Sequence, residues 1–151
     1  MAILATLALP RFKTFQGKAR QSEAKTMLNN IHSLQAIYFD DRSEYAVDTT
    51  SAAYGLTRST TAAWNCTAPA STTWAGMIGF VLNPCANVVR YGYSQSAGTT
   101  TTYTAVAATG TGAGNLVMPG CSVADSWNMT QDKVIASTST TSDAVKNSAC
   151  Q

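Results

Sequence analysis

The chain has 151 residues, enough for one domain with its own core, and only 12% of them are charged, about half the usual share. Thr and Ser are abundant where charge is missing, which suits an exported surface better than a cytosolic enzyme. A net charge of +2 is too small to name a polyanionic partner.

The first element is a long helix, from Ile3 to about Asp41. It opens on an uncharged run, ILATLALP, too short to span a bilayer, which takes about 20 apolar residues. A basic stretch follows, in which Arg11, Lys13, Lys18, Arg20 and Lys25 face a single acid, Glu23. Beside lipid, such side chains place their charges among headgroups; a DNA-binding patch is the lesser reading. Met27, Ile31, Leu34 and Tyr38, with Ala24 and Leu28 beside them, form an apolar stripe suited to lying on a sheet. Lys25, Asn29, His32 and Gln35 fall on the opposite, solvent-facing side. Pro10 removes a backbone donor inside this pattern and predicts a kink or local unwinding, with Gly17 a second weak point.

Periodicity then lapses, and residues 42–75 read as a connecting loop rich in Ala, Thr and Ser, anchored by Tyr54, Trp64 and Trp74. So long a loop calls for a short helix or strand within it. Residues 76–151 read as an antiparallel sheet of four or five strands laid across the second half of the helix. Met77 to Leu82 is a compact apolar strand, and Val88 to Ser96 alternates with Tyr91 and Tyr93 on one face. Gly98 starts a turn, and Thr101 to Thr109 carries Tyr103, Ala105 and Ala107 on one face. Ser126 to Met129 and Lys133 to Ala136 form a last hairpin, with Trp127 the tryptophan most suited to burial.

Cys66, Cys85, Cys121 and Cys150 form no CxxC pair, and with a single His in the chain they do not fit a zinc site. An even count in an exported protein predicts two disulfides, for which three pairings exist. Catalysis has little to build on. His32 sits among helix surface residues with no nucleophile around it, and the Gly-rich stretch ending at Asn115 lacks the Lys and Ser/Thr of a phosphate loop. Asp40, Asp41 and Glu44 read as a solvated turn without calcium-loop spacing. No cofactor and no metal is expected. Trp64 and Trp74 raise a carbohydrate-binding β-domain as one alternative function. Asn65-Cys66-Thr67 and Asn128-Met129-Thr130 match the glycosylation sequon by chance.

The segment ILATLALPRFKTFQGKARQSEAKTMLNNIHSLQAIYF resembles the second half of the N-terminal helix of type IVa pilins. Weaker echoes follow at Ile78 to Asn83, Arg90 to Ser94 and Asp125 to Ile135. The resemblance implies an α+β pilin fold, with Leu28, Ile31, Leu34 and Tyr38 on the core face of the helix. It implies a bacterial pilus subunit whose Ile3, Leu4, Leu7, Pro10, Phe12 and Phe15 pack against other copies in a helical fibre. Of the pairings, the sequential one is expected, Cys66 with Cys85 and Cys121 with Cys150, the latter resembling the C-terminal disulfide loop of pilins. The family has a leader, a methylated N-terminus and a hydrophobic half-helix upstream, so the chain reads as a soluble fragment whose membrane segment has been removed. Further implications are an inner-membrane assembly machinery, a periplasmic domain before assembly and an extracellular fibre afterwards. Adhesion to host or prey surfaces, surface motility and DNA uptake are the functions implied. A pseudopilin or minor pilin is the neighbouring alternative.

Overall fold

The computed structural model of the chain describes residues 2–47, 69–82, 90–109, 117–118, 121–138, 143–147 and 150. Its first element, α1 (Ala2–Arg42), is one uninterrupted helix of 41 residues, about 60 Å long. Ala, Leu, Lys, Gln and Arg dominate it, all good helix formers. The helical assignment continues through Pro10, so the expected local unwinding is not observed. The helix ends where Ser43 enters the left-handed region (φ 59°), its amide still bonded to the Phe39 carbonyl at 2.7 Å.

Four strands follow, β1 (Gly92–Thr99), β2 (Thr102–Ala108), β3 (Ser126–Thr130) and β4 (Ile135–Ser137). They form one antiparallel sheet in chain order. Two corrections to the expected strands concern boundaries. Gly98 belongs to β1, and the turn lies beyond it, at Thr100 and Thr101. Met77 to Leu82 is no strand of the sheet. Instead α2 (Trp74–Met77), a four-residue turn capped by the Thr73 hydroxyl, which accepts from the Gly76 amide, takes its first part. Gly79 then turns the chain at φ +66°, a conformation that favours glycine. Beyond it Phe80 and Leu82 point inward and Val81 outward. The alternation expected of a strand is therefore real, but this segment supplies core without joining the ladder.

The inward face of the sheet is built by Tyr93, Tyr103, Ala105, Ala107, Trp127 and Met129. Register places Ala107 between Tyr93 and Trp127, and Ala105 beside Met129. The two alanines keep β2 low where α1 crosses β2 and β3, so that Leu28 and Ile31 seat fully in the core. Trp74 closes one end of the core by stacking on Phe80, which meets Tyr93 edge-on, each pair 5.7 Å between centroids.

The buried side of the helix keeps Ala24, Leu28 and Ile31 of the expected stripe, with Met27, Leu34 and Tyr38 packed at its edge, and adds residues the stripe did not include. Gly17, Gln21, Ala24, Leu28, Ile31 and Gln35 are buried, in alternating steps of four and three, whereas Leu34 and Tyr38 are only half-buried. Gln35, assigned to the solvent side by the sequence pattern, is completely buried. Its amide donates to the Ala46 carbonyl at 2.8 Å and its Oε1 accepts the Ala46 N–H at 2.9 Å. This pair of bonds satisfies both backbone groups where the chain doubles back along the helix, as buried peptide groups require.

Candidate functional site

Two features stand out: the free end of α1, and a buried carboxylate that joins the helix to the rest of the fold. Burial on α1 starts at Gly17 among the side chains described. An ideal Cβ on Gly17 would come within 2.8 Å of Val145 Cγ2 and 2.9 Å of Met118 Sδ, so glycine here allows close approach of the segments around the C-terminal disulfide. It is a packing contact rather than the expected weak point. Before it, Phe12 and Phe15 are 60% and 69% exposed. Ile3, Leu4, Leu7 and Pro10 lie further along the same helical extension; their side chains are outside the described residues.

Asp125, fully buried just before β3, accepts four hydrogen bonds. Oδ1 receives the Gln21 side-chain amide at 2.7 Å and the Ala144 backbone N–H at 2.9 Å. Oδ2 receives the Trp127 indole N–H at 2.9 Å and the Tyr91 hydroxyl. The helix, the entry to β1, β3 and the C-terminal turn thus meet at one side chain. Its own amide donates to the Thr109 hydroxyl at 2.9 Å. Burial foremost, and the Asp125 charge next, push the Tyr91 hydroxyl pKa far above 10.0, so the phenol remains a donor. A carboxylate with its lone pairs so committed is a structural tie and is not open to a substrate.

A second carboxylate extends this network. Gln21 Nε2 also donates to Asp143 Oδ1 at 2.8 Å, which further accepts the backbone N–H groups of Val145 and Lys146. Burial acts to raise the Asp143 pKa, but the bonds from Gln21 and the backbone, with the Lys146 charge, outweigh it and leave the pKa below 3.8. Nothing in the residue pattern pointed to Asp125 or Gln21 as partners, because they are 104 positions apart.

Cys121 and Cys150 are disulfide-bonded, their Cα atoms 4.7 Å apart; Cys66 and Cys85 lie outside the described residues, as do Trp64 and the sequon at Asn65. Trp74, offered as a carbohydrate platform, is fully buried and has no face to present. It is also more buried than Trp127. His32 is half-buried and shares a 2.6 Å hydrogen bond, through Nδ1, with the Tyr103 hydroxyl. Among the described residues no three His, Cys, Asp or Glu side chains are grouped to hold a metal ion. No described helix is long and apolar enough to cross a membrane.

No protein-family model matches the chain, and no solved structure does. Over 46 residues it is 39% identical to the type IV major pilin protein PilA of Myxococcus xanthus, a stretch covering 30% of this chain and 21% of that protein. The match therefore spans about a fifth of the relative's length. Together with a long N-terminal helix on an antiparallel sheet and a C-terminal disulfide, this similarity supports a pilin-like protein.

Proposed function

We propose that the chain is the structural subunit of a type IV pilus and polymerises through α1 into an extracellular fibre. The observation that carries this reading is the first part of the helix, where Phe12 and Phe15 keep most of their surface in solvent. Exposed apolar clusters on a folded domain mark interaction sites, and a helix of this kind finds its complement in the helices of other copies. On this reading Ile3, Leu4, Leu7 and Pro10, earlier on the same helix, belong to the same packing surface. The partial similarity to a major pilin supports the same assignment. On this reading the inner-membrane assembly machinery is the partner before polymerisation, and adhesion, surface motility or DNA uptake is the task of the fibre.

The test is made in the producing cell. Phe12→Asp with Phe15→Asp in the full-length protein abolishes fibres in sheared preparations viewed by electron microscopy, while the domain keeps its fold because both side chains are outside its core. Normal fibres from a stably produced double variant would remove the assignment. Sheared fibres dominated by this chain select a major subunit; trace amounts select the minor-pilin or pseudopilin alternative.

A further inference from the structure

Opposite the residues it buries, α1 carries no charge from Phe12 to Ile37. At about 100° per residue, Phe12, Phe15 and Ile37 fall on one stripe, across the helix from the buried line of Gly17 to Gln35. Ala19, Ser22, Thr26, Asn30 and Ser33 fill the stripe between them in steps of three and four, and all are exposed. A helix resting on a sheet ordinarily turns charged groups to water along this line. Here Phe12, Phe15 and Ile37 are 60%, 69% and 66% exposed instead. The hydroxyls between them are already satisfied: Ser22 Oγ donates to the Ala19 carbonyl at 2.8 Å, Thr26 Oγ1 to the Ser22 carbonyl at 2.9 Å and Ser33 Oγ to the Asn29 carbonyl at 3.1 Å. Covering the stripe therefore strands few donors, and its small side chains let a second helix approach to about 8–10 Å between axes.

Charge stands only on the margins of the stripe. Lys18 lies on one margin in the first half of the helix and Asp41 on the other near its end, both exposed. Asp41 meets Arg42 at 3.2 Å on open surface, a pairing too exposed to hold it. Glu23, on the Asp41 margin, is balanced by Arg90 at 2.9 Å, and Lys25, on the Lys18 margin, is turned onto Trp127. Two parallel helices that face each other bring opposite margins together. Displacing one copy by the 22 positions that separate Phe15 from Ile37, about 33 Å, sets its Ile37 level with Phe15 of the second copy and its Asp41 beside Lys18. Asp40, on the Lys18 margin, then comes level with residues 16–20 of the second copy, where no acid stands. An antiparallel pair that matches Lys18 to Asp40 carries Phe12 and Phe15 past the partner's helix end at Arg42 and leaves them uncovered.

We propose that this stripe binds a second copy of the chain in parallel, displaced by about 33 Å, with Ile37 of one copy on Phe15 of the next and Asp41 beside Lys18. The proposal rests on the pilus reading above and adds the register of its contact. A displaced parallel contact joins two different patches, so it does not close on a pair and propagates into a filament. The test uses the full-length protein in sheared fibres. Phe15→Cys with Ile37→Cys, oxidised within the fibre, should give a reducible ladder of cross-linked chains, and neither single variant should. Asp41→Lys should cut fibre yield about threefold or more, since like charges at an interface repel, and adding Lys18→Asp should restore it; all four positions are exposed, so the fold is kept. The register falls while the pilus reading stands if intact fibres of the double-cysteine variant give no ladder, if Asp41→Lys assembles as well as the parent, or if Lys18→Asp leaves its yield low. Absence of the unaltered chain from sheared fibres overturns both. Cross-linked dimers from Ser22→Cys with Ile37→Cys select an antiparallel pair, and an adduct of Ile37→Cys alone with a different polypeptide selects another partner; either result overturns the proposal.

Discussion

Replacing Asp125 by Asn tests whether one buried side chain holds four parts of the chain together. An amide keeps one oxygen, which serves Gln21 and Ala144, but puts an NH₂ opposite Trp127 Nε1–H and the Tyr91 hydroxyl. Tyr91 can turn its hydroxyl to accept; the indole cannot. A bond to a charged acceptor is lost, worth roughly 1.5–3 kcal/mol, and a buried donor is left facing another, a further cost of roughly 1–3 kcal/mol. Relief of the carboxylate's own desolvation offsets part of this, leaving about 2–5 kcal/mol, which overlaps the range found for breaking buried charged pairs. With a urea slope of about 2 kcal/mol per molar, the midpoint should fall by about 1–2.5 M. Urea unfolding followed by far-UV circular dichroism, with the disulfide kept oxidised, is the assay. Tyr91→Phe alone should cost less, and the double variant should fall short of the sum because both act on one network. A midpoint within about 0.3 M of the parent for Asp125→Asn, which at that slope is a change too small for any lost buried bond, would refute the reasoning.

Gln35→Leu should destabilise the domain by about 2–4 kcal/mol, since both backbone groups of Ala46 lose their buried partner; a neutral result in thermal unfolding would show that they find another. Gly17→Ala would gain about 1 kcal/mol in an open helix, but the clash with Val145 and Met118 should reverse the sign to a net loss of about 1–2 kcal/mol, read by denaturant midpoint, and a stabilised variant would show that the C-terminal segment yields freely. His32 supplies a pH test. Burial, and then the nearby Lys133 charge, hold its pKa below 6.5, so the unfolded chain takes up the proton first. Stability is therefore full above pH 6.5, declines as pH falls from there through the lower folded pKa, and is level below it. The single His in the chain gives one imidazole resonance to titrate; a midpoint at or above 6.5 contradicts the geometry, and His32→Gln should remove the decline.

The helix, the two central hairpins and the bridge between Cys121 and Cys150 were legible because apolar spacing, alternating tyrosines and a family-like segment are local signals. The buried side of α1 was legible only in part, because three of the six residues buried among those described are Gly17, Gln21 and Gln35, which hydrophobicity does not mark. Their burial depends on partners far away in the chain, Val145 and Met118 for the glycine and Asp125 and Asp143 for Gln21. Met77 to Leu82 failed for a different reason. Alternation reports which side chains face the core, and says nothing of whether the backbone finds a neighbouring strand.

The contacts of Asp125 also impose a timetable on a chain made from its N-terminus. Gln21 emerges first, Tyr91 seventy residues later, and Ala144 after a further fifty-three. Until that final turn arrives, the carboxylate has a donor missing and Gly17 has no Val145 to receive it. The globular part can therefore lock onto its helix only after the segment carrying Ala144 and Val145 has been made, so contacts from both ends of this fold close together.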